Sequence, residues 1–445
     1  MRLFSLVGLG VMAAAFGLGA PASDEIRLPA ALTAPAQETP ALLGVIQGRN
    51  LATLVHVDAA TLKAKPKPRL ELWGAWPWAF SPNRSALAVV RHAALRLVSV
   101  KRMRRLGDIH LGAGYVVALS WPAPGRVLAA VRDCCSAAVR LHVVDTNART
   151  VVRTHELAGT FIRAARGPAA LVLLLAPDKG IGPSRLAVLD SSGEVRVALL
   201  AGVSAGWSTP QGASGEAQGA SGEAVASRRE PGLALDGAGQ RAFVVEPEGE
   251  VTTVHLPTLS VSSHKVARAV SPLARLHAWL EPEAAAKIVD GPTRTALWLG
   301  DGILAVTGRD ESSSRDAQGN FRFAVRPAGL TLIDTESWRA RTLDSGADSA
   351  RVVSGGLLVT GSSYEGPSET RSGMGLALYA EGGKRFQLFQ RQAARVDQVY
   401  GDRALVYVGS SSALRLVDLD AGRVIDDRRL VGPRLLLGSA AEPVG

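Results

Sequence analysis

Cysteine is nearly absent. The chain has two, adjacent at Cys134 and Cys135, so at most one disulfide can form. A trans peptide holds neighbouring Cα atoms nearer than a disulfide normally spans, so that bridge would be strained. A turn-stiffening disulfide and two quiet thiols both remain open. Aromatic residues are 5% of the sequence. That is too few to interleave with the basic clusters Lys63-Lys65-Lys67-Arg69, 101–105 and Arg428-Arg429 as a base-stacking surface would need, so nucleic acid is not an expected partner. After the first residues no apolar run is long enough to cross a bilayer. Spacing of 3.6 residues is scarce, which excludes a helical solenoid. There is no G-x-S-x-G elbow and no phosphate-binding Walker loop. The eight histidines do not cluster. His56, His142 and His255 recur at matching places in separate repeats, which reads as a positional preference and not as a convergent metal site.

What is present begins with export. Residues 1–22 carry one basic residue, Arg2, an apolar run from Leu3 to Leu18, and small residues around Ala20-Pro21-Ala22. This is the form of a secretory signal peptide. No cysteine follows the small residues, so no lipid anchor is expected there. The expected location is secreted, extracellular or periplasmic, in the cell envelope. A lead-in at 23–40, rich in Ala and Pro, reads as disordered or extended. The formal charge of +10 suits weak attraction to anionic envelope polymers or headgroups, and solubility alone would also explain it.

Roughly 420 residues remain, more than a single compact core usually grows to, so the chain splits into domains or repeats a small unit. It repeats. In LRLVDLDAGRVIDDRRL (414–430) apolar residues alternate, a polar Asp-rich turn follows, and a second alternating run returns: strand, tight turn, antiparallel strand. Weaker copies run the length of the chain. The 47 Gly and 24 Pro suit many turns. Third strands end near Asp58, Val100, Asp145, Asp190, Leu256, Asp334, Ala380 and Asp420, at spacings of about forty to fifty residues. All-strand repeats of that length predict a single β-propeller over 41–440, with eight blades counted and seven as the alternative. The first unit lacks its innermost strand, and Arg434–Gly438 is a strand left over at the far end. Pairing them would close the ring, leaving 441–445 as a tail.

VVDTNARTVV (143–152), LIDTESW (332–338) and LVDLDAGRVI (416–425) resemble the V-x-D-x-x-x-G-x-V turn of YVTN-like and quinoprotein-like propellers. WAFSPNRSALAVV (78–90) resembles the W-x-x-S-P-D-G strand pair of WD40-like propellers. The resemblance covers nearly the whole mature chain but marks a superfamily and no specific function. No repeat ends in Trp-Asp, and of the docking tryptophans of the quinone-dependent dehydrogenases only Trp338 falls near a suitable place. In those dehydrogenases adjacent cysteines form a disulfide beside the cofactor. The resemblance therefore makes Cys134 and Cys135 weak cofactor-proximal candidates, although the chain has no recognisable calcium constellation and no cofactor is expected.

Three surface loops are read at 203–230, 268–293 and 309–322. The first holds a near-direct repeat of GASGEA; the second includes a helix-permissive patch at 282–289. The third offers Asp310, Glu311, Asp316 and Asn320, weak metal candidates whose spacing does not fit a calcium loop. With a full scaffold and no catalytic spacing, the expected function is an exported, monomeric binding scaffold. It would meet a protein or cell-envelope ligand through one ring face or the central channel. The rival is a cryptic propeller enzyme, a quinone-type dehydrogenase or a hydrolase.

Overall fold

The computed structural model describes residues 26–29, 32, 42–47, 52–57, 64–72, 77–91, 94–133, 137–178, 182–208, 227–268, 288–315, 321–366, 370–409, 414–428 and 435–438. Among them there is no α-helix; the chain is strand after short strand. Six sheets have four antiparallel strands each, one has two, and one has ten. The ten-stranded sheet contains two more four-stranded meanders. One runs Ile288–Gly300, Ile303–Arg315, Leu330–Asp334 and Arg339–Asp344; the other runs Ser349–Val353, Gly356–Glu365, Thr370–Ala380 and Gly383–Leu388. The strand Phe321–Pro327 joins them by pairing with both. We number these four-stranded units one to eight along the chain.

Alternation explains the strands, and burial on both faces explains their apolar density. In unit three, Val139, Leu141 and Val143 of the strand Ala138–Asp145 pack against Leu171, Leu173 and Leu175 of unit four. Val144, one residue on, faces back to a cluster shared with unit two. Such side chains are fully buried, each stabilising the fold by about 1.5–3 kcal/mol. The buried apolar residues of the described chain fall into eight clusters. Each cluster draws on two units adjacent in sequence, except the last. That one joins Leu405, Leu414 and Leu416 of unit eight to Val55 and Val57 of unit one. The strand Leu435–Gly438 pairs antiparallel with Leu42–Gln47, from Leu43↔Gly438 to Ile46↔Leu435.

The turns after the third strands of units three, six and eight follow one rule. An aspartate at the strand end accepts the backbone N–H groups of the turn. Asp145 Oδ1 accepts from Asn147 and Ala148 at 2.9 Å, Asp334 Oδ1 from Glu336 and Ser337 at 2.8 and 2.9 Å, and Asp418 Oδ1 from Asp420 and Ala421 at 3.0 and 2.8 Å. Four residues after the aspartate the backbone is left-handed. Gly422 takes φ +61°, the conformation only glycine adopts freely, but Arg149 and Trp338 take φ +58° and +54°.

Several stretches differ from the sequence reading. Part of the lead-in read as disordered is docked: Leu28 and Leu32 are buried in the cluster between units six and seven, and Arg341 donates to the Ile26 carbonyl at 3.1 Å. Residues 309–315, read as loop, continue the strand Ile303–Arg315, which turns back as Phe321–Pro327. The stretch is polar, so no apolar alternation marks it; paired strands on both sides satisfy its backbone instead. Within 203–230, Gly206–Ser208 pairs with Ser227–Arg229, and within 268–293 the residues from Ile288 on are strand. The signal segment 1–22, the tail 441–445 and the helix-permissive residues 282–287 lie outside the described residues.

Candidate functional site

The first strands of neighbouring units meet one another. Trp78–Phe80 lies against Tyr115–Ala123, Thr160–Arg166 against Gly232–Leu235, and Gly232–Leu235 against Ile288–Gly300. Side chains on these strands therefore converge although their chain positions are far apart. Several of those chains are arginines: Arg163 and Arg166 in unit four, Arg294 in unit six, Arg351 in unit seven and Arg395 in unit eight.

At the end of the sheets that carries the Ile303–Arg315 hairpin, the arginines are built into an ionic corner. Arg163 starts just past a bulge between Phe161 and Arg163 and reaches across unit five. Its Nη1 donates to Thr295 Oγ1 at 3.3 Å, and its Nη2 stands 3.8 Å from Glu230 Oε2. Glu230 also pairs with Arg228. A parallel bridge between Glu230 and Thr293 fixes this carboxylate beside unit six. Arg294 Nη1 donates to Asp310 Oδ1 at 2.7 Å and to its neighbour carbonyl of Thr293 at 2.9 Å. Arg309 Nε donates at 3.0 Å to Asp348, whose buried Oδ2 also receives the Ser362 N–H and hydroxyl at 3.0 Å. Burial pushes the Arg163 guanidinium below its usual range, opposed by Glu230, and its Nε is buried without a hydrogen-bond partner.

Behind the corner lies a cavity of about 130 Å³ lined by Glu246, Arg294, Thr307 and Asp310 among others. Glu246 is 6% exposed and accepts from the Ser204 N–H at 2.8 Å. Burial raises its pKa, and the neighbouring Glu248 and Glu250 add to this against the Ser204 N–H and Arg229. A raised carboxyl pKa favours the protonated form in the fold. The stabilisation is complete below the unfolded value and is lost as pH rises through the folded one. Glu246→Gln is therefore expected to match the wild type at acidic pH and to exceed it at pH 7 by about 1 kcal/mol. Urea denaturation of both proteins at the two pH values measures this; a variant less stable at pH 7 would refute it.

Of the candidates read from the sequence, Asp310 is engaged as the partner of Arg294. Glu311 follows it in the strand, and successive strand residues point to opposite faces. Among the described residues no three His, Cys, Asp or Glu side chains converge as metal ligands would. Asp316, Asn320, Cys134 and Cys135 lie outside the described residues. The sequence reading missed Arg163, Glu230, Glu246, Arg294, Arg309 and Asp348. The available signal was an arginine inside an otherwise apolar first strand, in FIRAAR and TRTALWL.

No protein family matches the sequence, and no curated protein matches it. Solved structures do match. A dihydro-heme d1 dehydrogenase, NirN, solved in complex with DHE, is 11% identical with a TM-score of 0.53, covering 93% of this chain and 78% of that one. BamB from Moraxella catarrhalis is 10% identical at a TM-score of 0.44, covering 78% and 86%. The β-propeller domain of Cps50 (Swd1) from Myceliophteria thermophila is 12% identical at 0.39, covering 80% and 87%. At these identities the likeness is one of fold alone.

Proposed function

We propose that this chain is an exported, closed propeller of eight blades that works as a binding scaffold. The blade count is supported by eight four-stranded units and eight clusters between them, and the closure by the pairing of Leu435–Gly438 with the first unit. Export rests on the form of residues 1–22. The binding face is the one that carries the hairpin Ile303–Arg315 and Phe321–Pro327, with its ionic corner around the channel mouth. The ligand is a protein or envelope component whose exposed acids and carbonyls meet the arginines.

The carrying observation is the corner itself. Arg163, Arg294 and Arg309, drawn from two units, are held by Glu230, Asp310 and Asp348 in fixed geometry. Such charge–charge positioning serves recognition. A photo-crosslinker at Arg326 on the hairpin should capture one envelope component, and one at Arg102 on the opposite rim should not capture it. Shortening the hairpin should abolish capture with little change in melting. Equal capture from both rims, or turnover of alcohols by protein reconstituted with quinone and calcium, would overturn the reading.

A further inference from the structure

The end of the sheets opposite the hairpin carries a cleft between units two and three, with a volume near 450 Å³. That is within the range of small-molecule sites. One wall is the Ser81–Ser85 turn, rigid and internally satisfied. Asn83 Oδ1 accepts from the Ser81 hydroxyl at 2.9 Å and from the Ser85 N–H and hydroxyl at 3.1 and 2.8 Å. The other wall is the turn 146–149 of unit three, with Thr146, Asn147 and Arg149. Leu97, Leu106 and Pro124 give it an apolar floor, and Trp121 borders it where a bulge between Ser120 and Ala123 breaks the strand register. The Trp121 indole N–H is buried without an acceptor.

Arg149 is the unusual group. It occupies the left-handed position of its turn, which strains a non-glycine residue. At the matching place in the turns of units two, five and six, Met103, Leu259 and Trp338 share this conformation and each packs into a hydrophobic cluster, while Arg84, Asp301, Phe389 and Arg391 take it elsewhere. Arg149 stays exposed, and no described carboxylate lies within ion-pair distance of it. Its side chain lies across Gly107, where a Cβ would stand 2.8 Å from its Cδ, so the missing side chain there leaves it a seat. The adjacent turn of unit two adds exposed Lys101, Arg102 and Arg104. The nearest acid of the Arg149 turn, Asp145, is spent on the backbone N–H groups of Asn147 and Ala148. Donors and positive charge are in surplus, and acceptors are used internally.

We propose that this cleft binds a sugar unit bearing an anionic group, carboxylate or phosphate. Arg149 takes the anion, the Asn147 amide and the Thr146 hydroxyl take the sugar's hydroxyl oxygens, and the apolar floor takes the C–H face. The site is at the opposite rim from the hairpin and stands whether or not the hairpin face binds a partner.

Calorimetric titration of the full mature chain with glucuronate and with glucose 6-phosphate tests it, with glucose and inorganic phosphate as half-ligands. The charged sugars should bind at a Kd on the order of 100 μM to 1 mM, weakening with salt. Each half-ligand should bind at least about tenfold more weakly. Arg149→Gly removes the cation and gives the left-handed position its preferred residue, so the fold is kept or strengthened while binding falls about tenfold or more. Trp121→Phe should change the fluorescence response to the ligand. Binding of phosphate alone as tight as the sugar phosphate, unchanged binding by Arg149→Gly, or no binding by any charged sugar would overturn the proposal.

Discussion

Deletion of residues 433–445 is expected to destabilise the whole protein by about 3–5 kcal/mol, at about 1 kcal/mol for each net backbone hydrogen bond lost. Four register pairs tie Leu435–Gly438 to Leu42–Gln47. Their removal leaves Leu42–Gln47 as an unpaired edge while its own Leu43 and Val45 belong to the cluster with unit two. The damage spreads because each unit buries its two faces only against its neighbours. Among the described residues, the cluster joining Leu405, Leu414 and Leu416 to Val55 and Val57 is the one apolar cluster that spans the first and last units. Loss of the proposed closure there should lower the melting temperature and promote self-association through the bared edge. Adding the tail as a separate peptide should recover part of the loss in proportion to its concentration. A truncated protein with the melting curve of the full chain would sink the closure.

Much of the architecture is legible because two local rules repeat. Period-two alternation gives each strand, and the aspartate at the end of a third strand gives its turn. Strands ending at Asp145, Asp190, Asp334 and Ala380 are found where the sequence places them, those ending at Val57, Ser99 and His255 fall one residue short, and the last ends at Asp418, short of Asp420. Where the rules fall silent, the reading fails. RDESSSR has no apolar partner to alternate with, yet it is strand, because its backbone is paired on two sides and Phe323 and Tyr364 meet nearby with centroids 6.2 Å apart. Leu28 and Leu32 lie in a Pro- and Ala-rich stretch without periodicity. Their burial depends on a groove built from residues three hundred positions later.

The candidate sites are less legible, for a reason that the contacts make plain. Arg163 meets Thr295, and Arg309 meets Asp348; neither separation leaves a local motif. Asp310 shows the converse error. Its company of nearby acids suggests a cation ligand, but the first strand of the same unit supplies Arg294 as its partner. Arg149 sits where the resembled turn has glycine. That departure is visible in VVDTNAR, but only the left-handed backbone gives it a cost, and so a meaning.

The recurrence of His56, His142 and His255 in third strands also acquires a consequence once burial is known. All three lie in third strands, and His142 alone is buried, at 4% exposure. Val139, Leu141 and Val143 face unit four, so His142 lies on the other face of its strand with Arg140. Its Nδ1 is 2.9 Å from Thr154 Oγ1, and its Nε2 is buried without a partner. Burial first, and the positive charge of Arg140 second, lower its pKa from 6.5 to about 4. A histidine held neutral in the fold stabilises it fully above the unfolded value, and that contribution is lost as pH falls from 6.5 through about 4. At about 1.4 kcal/mol per pKa unit the loss is roughly 3 kcal/mol. Asp108, Asp190 and Asp344, whose pKa values are lowered, lose their contributions below the ordinary carboxylate range, so the two windows separate. In His142→Leu the exposed Thr154 hydroxyl turns to water and the titration disappears. Guanidinium denaturation at half-unit steps from pH 7.5 to 4 should show the wild-type curve falling against the variant by roughly 3 kcal/mol. Parallel curves across that window would mean that His142 carries no such charge penalty, and that the space around Nε2 admits water.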